Sequence, residues 1–134
     1  MKKPQKSLRQ GTLRDYLRKE LHDKEYRTVY ADASLSAYIA AQIKILREEN
    51  GWTQMQLAEK AGMAQSRIAL MENINYSSWS INTLRRLASA FDLRLSVRFE
   101  TFSSLIHEVE SFNRKSLNRT AFKDDKWFNE DGKR

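Results

Sequence analysis

The 134-residue chain contains no cysteine, so neither a disulfide nor a thiolate metal site can form. It has only two histidines, and each stands alone among charged residues, without a second ligand at metal-binding spacing. Its four glycines form no phosphate-binding loop, and no base is placed to activate a serine or aspartate nucleophile. We therefore expect no enzyme, no metal and no cofactor.

Long hydrophobic segments are also missing. No apolar run approaches the roughly 20 residues that cross a bilayer. The basic N-terminal sequence MKKPQKSLRQG is not followed by the apolar core of a secretory signal. These features predict a cytoplasmic protein without a membrane partner.

Positive charge is in excess, with a net charge of +7 and a pI near 9.8, which favours a polyanionic partner. The excess is uneven: +4 in residues 1–33, +1 in residues 34–92 and +2 in residues 93–134. Two interpretations of the basic residues 1–11 stay open. Either they supply salt-dependent attraction to phosphates, or they only keep a frayed terminus soluble.

The central segment TQMQLAEKAGMAQSRIALMEN, residues 53–73, predicts two short helices joined by a tight turn. Thr53 and Gln56 are spaced as a capping box at the start of the first helix, and Gly62 stands where that helix must end. Gln and Arg side chains can pair with adenine and guanine edges in a major groove. An ordinary helical hairpin with a solvated polar face is the alternative. The outward face of the second helix carries Gln65, Ser66, Arg67, Ala69 and Leu70.

This motif resembles the Xre/Cro class of lambdoid-repressor-like DNA-binding domains, and the resemblance covers residues 34–92. It implies an all-α, five-helix domain whose third helix, residues 64–73, lies in the major groove of double-stranded DNA. It also implies that Gln54 binds phosphate and braces Gln65. Gln65 and Ser66 would then be the main base readers, with Arg67 beside them.

The same resemblance implies a buried structural salt bridge between Arg47 and Glu72. It further implies that the loop after the recognition helix follows the phosphate backbone. Two positions depart from the family pattern. Ala64 stands where a Ser or Thr cap is usual, and Leu70, where a polar base reader is common, either touches a thymine methyl or is simply exposed. The candidate phosphate contacts of the loop are Asn75, Tyr76, Ser77 and Ser78.

Residues 1–33 are interpreted as a basic arm followed by a helical extension. Leucines at four-residue spacing predict one helix from Thr12 onward, and a second short helix follows around Tyr26. This pair loosely resembles the N-terminal extension of HigA-type antitoxins; the alternative is that the leucines enlarge the core. The next helix is expected to begin at Ser34 and to face inward with Leu35, Ile39, Ile43 and Leu46.

Residues 93–101 are interpreted as a dimerisation strand, because the sequence LRLSVRFE alternates apolar and polar residues. A lone strand needs a partner for its backbone groups. We expect it to pair with the same strand of a second subunit and so form a homodimer, or with a strand from a partner protein. The interface would comprise Leu93, Leu95, Val97 and Phe99.

Residues 102–134 predict a short helix over residues 103–114 and then a charged, mobile tail. Its aromatic residues would either dock on the domain or form a partner-recognition segment. Two functions remain open for the whole chain. One is a repressor on a palindromic operator; the other is an antitoxin that neutralises a small toxin and regulates its own operon.

Overall fold

A computed structural model describes residues 12–129, and the regular structure within them is helical. No helix in this part of the chain is both long and apolar enough to span a membrane. A 3₁₀ turn, Phe122–Asp124, precedes the last helix. The eight helices are α1 (Thr12–Glu20), α2 (Lys24–Glu49), α3 (Gln54–Ala61), α4 (Gln65–Met71), α5 (Ile81–Ala90), α6 (Ser103–Glu110), α7 (Arg114–Leu117) and α8 (Lys126–Asn129).

The core lies where the C-terminal half of α2 packs with α3, α4 and α5. Trp52 closes one side of it by stacking on Phe91, with ring centroids 5.9 Å apart and planes 4° apart. The expected five-helix domain was wrong, since residues 34–92 contain four helices: the second half of α2 and all of α3, α4 and α5. The buried core residues are Ile43, Leu46, Leu57, Ala58, Ala61, Ile68, Met71, Leu87 and Phe91.

Helix α2 is a single helix of 26 residues, so the expected helix start at Ser34 was wrong. The residues around Ser34 include neither Gly nor Pro, and therefore nothing in them interrupts the helix. Leu35 is 51% exposed and does not face the core as expected, whereas Ile39 and Ile43 do. The N-terminal half of α2 thus extends beyond the helix-turn-helix core.

Helix α1 packs beside the start of α6. Leu17 is buried, and it lies in a groove that also contains Phe102 and Ile106. Arg14 donates two hydrogen bonds to Glu110, of 2.7 and 3.0 Å, on the exposed side of this contact. Of the leucines in this pattern, Leu17 is therefore the one that is fully buried and adds to the packed interior.

The expected C-terminal β-strand is absent from the described residues, so that prediction was wrong. Residues 93–100 run without regular structure, and no segment within residues 12–129 pairs with them in the backbone ladder that a strand requires. Leu93 packs against the core and Leu95 is half-buried, whereas Val97 and Phe99 are exposed. The alternating pattern reflects partial burial of its first half only.

The segment after α6, for which we expected a mobile tail, contacts α2 through Arg114 and Leu117. Helix α6 itself ends at Glu110, before the expected end at residue 114. Leu117 is 2% exposed, and its carbonyl accepts a 2.9 Å hydrogen bond from Gln42 Nε2. Arg114 donates hydrogen bonds to Glu48 and Glu49, and the first of these lowers the pKa of Glu48.

The aromatic residues of the C-terminal segment contact one another more than they contact the core. The Phe122 and Phe128 ring centroids lie 4.9 Å apart, and those of Trp127 and Phe128 lie 4.7 Å apart. All three side chains stay exposed. The backbone amide of Phe122 donates to the carbonyl of Asp92, which ties this cluster to the end of α5. Leu117 is therefore the apolar anchor of the segment.

Candidate nucleic-acid interface

Local sequence signals fix the turn between α3 and α4. Thr53 Oγ1 accepts a 3.1 Å hydrogen bond from the Gln56 amide, and Gln56 Oε1 accepts a 2.8 Å bond from the Thr53 amide. The predicted capping box is therefore confirmed. Gly62 ends α3 with a φ of 68°, a left-handed conformation that disfavours residues with a Cβ. Arg86 of α5 donates to the Gly62 carbonyl and braces the turn.

Helix α4 presents one side to the core and the other to solvent. Ile68 and Met71 are completely buried and hold the helix against α3. Ala64 caps the helix without a side-chain hydrogen bond, as its methyl group requires. Spacing along the helix therefore turns the remaining residues outward. The exposed side chains are Gln65, Ser66, Arg67, Ala69 and Leu70.

A chain of hydrogen bonds connects the start of α4 to the end of α2. Arg47 donates to both carboxylate oxygens of Glu72, at 2.6 and 3.0 Å, and also to the Trp52 carbonyl at 2.8 Å. Gln54 donates to the same carboxylate at 3.1 Å, and Gln65 donates to Gln54 Oε1 at 2.8 Å. The side chains of Arg47 and Glu72 are 12% and 5% exposed. Donation to Glu72 raises the pKa of Arg47.

These hydrogen bonds fix the orientation of the Gln54 side chain and, through it, that of the Gln65 side chain. A carboxylate only accepts hydrogen bonds, so Gln54 must present its NH₂ group to Glu72 and its oxygen to Gln65. Gln65 must therefore use one N–H for the brace. Its oxygen and its other N–H remain available, and these form the acceptor–donor pair that matches the major-groove edge of adenine.

Arg67 points toward α5 and away from the Gln54–Gln65 contact. Its Nη2 atom donates a 3.3 Å hydrogen bond to Thr83 Oγ1 in the first turn of α5. Thr83 is a residue that the sequence interpretation missed. The available signal was its position three residues after Ser80, whose hydroxyl caps the helix by accepting from the Thr83 amide at 3.1 Å.

In the loop between α4 and α5, some side chains form hydrogen bonds within the loop and others are exposed to solvent. Tyr76 packs against the core, and its hydroxyl donates to the Ser78 carbonyl at 3.2 Å. The Asn75 amide donates to Asn73 Oδ1 at 2.8 Å, which tightens the start of the loop. Ser77 and Ser78 are exposed. The loop thus offers Ser77 and Ser78 to a ligand more openly than Tyr76.

Residues 43–97 match the family model described as helix-turn-helix, a range that covers the C-terminal end of α2 and all of α3, α4 and α5. Antitoxin HipB from Escherichia coli is 34% identical over 59 residues, 44% of this chain and 62% of that protein. The immunity repressor protein of Bacillus phage phi105 is 32% identical over 77 residues, 58% of this chain and 53% of its own length.

A third relative, the putative antitoxin HigA2 of Mycobacterium tuberculosis, is 38% identical over 68 residues. That match covers 48% of this chain and 67% of the relative. This chain thus spans between about half and two thirds of the curated relatives it matches. No solved structure matches it significantly. The family match and these relatives show that the chain belongs to the Xre/Cro-type helix-turn-helix family.

Proposed function

We propose that the protein is a sequence-specific DNA-binding transcriptional regulator that inserts α4 into the major groove of double-stranded DNA. The observation that carries this proposal is the hydrogen-bond chain ending at Gln65. A buried ion pair fixes Gln54, and Gln54 fixes an exposed glutamine at the start of the exposed helix. A side chain held in this way enters the groove with little loss of conformational entropy.

The remaining exposed residues fit supporting roles at the same interface. Ser66 is adjacent to Gln65 and can donate to or accept from a base edge. Ala69 and Leu70 offer methyl groups to thymine. Gln54 and the loop residues Asn75, Ser77 and Ser78 would donate hydrogen bonds to phosphate oxygens. Tyr76 would do so only after its hydroxyl leaves the Ser78 carbonyl. We expect the protein to act in the cytoplasm, since the matched relatives come from bacteria and a bacterial phage.

Replacing Gln65 with alanine tests the proposal. Wild-type protein is first used to select duplexes from a pool with a randomised core, and both proteins are then titrated with the selected duplex. We expect Gln65→Ala to weaken binding by about 1–3 kcal/mol and to relax the preference at one base pair. Thr28→Ala, an exposed position on α2 outside the matched range, serves as control. The proposal would be contradicted if the wild-type protein selected no sequence, or if Gln65→Ala bound the selected duplex as tightly as the wild type.

An antitoxin is the second candidate, favoured by the similarity to two relatives, antitoxin HipB and putative antitoxin HigA2. In that case the same interface would regulate the protein's own operon, and segments outside the helix-turn-helix would bind a small toxin. The test is to identify any short reading frame that is co-transcribed with the gene and to express it with and without this chain. Growth arrest that this chain relieves, together with a stoichiometric complex, would establish the antitoxin; a harmless neighbour would exclude it.

We also propose that the protein binds DNA as a homodimer, because two recognition helices about one helical turn, ~34 Å, apart suit a palindromic site. Val97 and Phe99 leave apolar side chains exposed, and these would contact the second subunit while Leu93 and Leu95 support them.

We expect Val97→Asp to convert the dimer to a monomer, because a carboxylate would be desolvated in that contact. Light scattering provides the measurement. Val29→Asp is a matched control, since Val29 is 63% exposed and Val97 is 64% exposed. A Val97→Asp protein that stays dimeric would place the contact elsewhere.

A further inference from the structure

Arg67 belongs to the exposed face of α4, but its guanidinium group is held at the start of α5. Nη2 lies 3.3 Å from Thr83 Oγ1. The Thr83 side chain is only 5% exposed, and its hydroxyl oxygen accepts a second hydrogen bond, of 3.0 Å, from Ser80 Oγ. Because Thr83 is buried and Ser80 of the same helix donates to its hydroxyl, Thr83 is a rigid partner for Arg67. A solvated Arg side chain would otherwise sample many rotamers.

The electrostatic surroundings of this guanidinium are unusual. The first turn of a helix carries partial positive charge, so a cation placed there is unfavourable without a compensating anion. Across residues 12–129, the ion pairs of arginine involve Arg14, Arg47, Arg98 and Arg114, and none involves Arg67. This cation therefore lies beside a positive helix end, and no carboxylate of the described residues forms an ion pair with it. A DNA phosphate at this position would compensate both charges.

We propose that Thr83 is a positioning residue that holds Arg67 on the phosphate backbone and away from the base edges. This role rests on the proposed DNA-binding function. Arg67 then contributes salt-dependent affinity that is the same for every sequence. Base reading by hydrogen bonds then falls to Gln65 and Ser66, with Ala69 and Leu70 limited to apolar contacts with thymine.

The test compares Thr83→Val with Thr83→Ser and Arg67→Ala. Valine keeps the shape of threonine and the hydrogen bond from the backbone amide of residue 83 to Ser80 Oγ. It removes the hydroxyl that accepts from Arg67, whereas serine keeps that hydroxyl. We expect Thr83→Val to weaken binding to selected and mismatched duplexes alike, by roughly three- to tenfold. The slope of log K against log salt should become shallower by up to about one unit. Thr83→Ser should restore both values.

The double variant separates positioning from a general loss of structure. If Thr83 acts through Arg67, adding Thr83→Val to Arg67→Ala produces no further loss of affinity. A further loss of the same size would overturn the proposal, because the threonine would then act independently of Arg67. The proposal also fails if Thr83→Val changes neither affinity nor salt slope, or if it relaxes the preference at a single base pair. In each of these cases the DNA-binding function stands. A wild-type protein that binds no duplex at all would remove that function and this role together.

Discussion

Replacing Glu72 with alanine is expected to lower the free energy of unfolding by about 3–5 kcal/mol, because it removes both hydrogen bonds from Arg47 to a carboxylate and leaves only a 3.9 Å contact with Glu48. The two side chains are 12% and 5% exposed, so water cannot solvate the guanidinium group in place of the carboxylate. Whole domains of this size are stable by only about 5–15 kcal/mol. A single substitution would therefore remove a large fraction of the stability.

Urea denaturation followed by tryptophan fluorescence measures this effect, since Trp52 stacks on Phe91 at the edge of the core. Glu100→Ala is the matched control. Its carboxylate pairs with Arg98 in an exposed ion pair, for which little change is expected. If Glu72→Ala shifts the midpoint no more than Glu100→Ala does, the ion pair is not structural.

The same substitution has a consequence for DNA binding. Without the carboxylate, Gln54 loses the acceptor that fixes the orientation of its amide, and the brace on Gln65 loosens. We therefore expect Glu72→Ala to bind selected DNA less tightly even under conditions where it remains folded. Stability and the proposed recognition would then depend on the same series of hydrogen bonds, which connects the core to the exposed face of α4.

The helix-turn-helix could be predicted from the sequence because its signals are local. A capping box, a left-handed glycine and helical spacing of apolar residues each act within a few positions of the chain. The structure agrees with them at Thr53, Gln56, Gly62, Ile68 and Met71. The outward face of α4 follows directly from the buried one, which is why the candidate groove-facing residues could be named in advance.

The flanking segments could not be predicted in the same way, because their structure depends on distant contacts. Ser34 is a residue type that often caps helices, but α2 continues through it. The first half of α2 has distant contacts that the local sequence does not show, since the Arg27 guanidinium lies 5.8 Å from the centre of the Phe102 ring. Residues 93–100 have the alternation of a strand, but a strand needs a neighbour and the described chain supplies none. Alternation reports which side chains are apolar; it does not report what lies alongside the backbone.

Thr83 illustrates the limit at the candidate site itself. The Ser80-x-x-Thr83 spacing indicates a helix start and carries no sign of an arginine from another helix. The contact with Arg67 joins residues 16 positions apart and arises only because the fold brings the first turn of α5 close to the first turn of α4. Side chains that direct other side chains are therefore the part of such an interface that a single sequence reveals least.

The second large effect is expected at Leu117, whose replacement by alanine should cost about 2–5 kcal/mol if the C-terminal segment stays docked. Leu117 is 2% exposed, whereas the ion pairs of Arg114 with Glu48 and Glu49 are on the surface and contribute little. The apolar side chain is thus the main attachment of α7 to α2. Leu35→Ala is the matched control, because Leu35 lies on α2 and is 51% exposed.

Thermal unfolding and limited proteolysis together distinguish two responses to Leu117→Ala. If docking is cooperative with the core, the melting temperature falls well below that of Leu35→Ala. If α7 opens as a separate unit, the melting temperature changes little and the segment after residue 111 becomes sensitive to protease. If the melting temperature and the protease sensitivity both stay unchanged, Leu117 does not attach the segment. DNA binding should persist in both responses, because α7 docks on α2 and the groove-facing residues belong to α4.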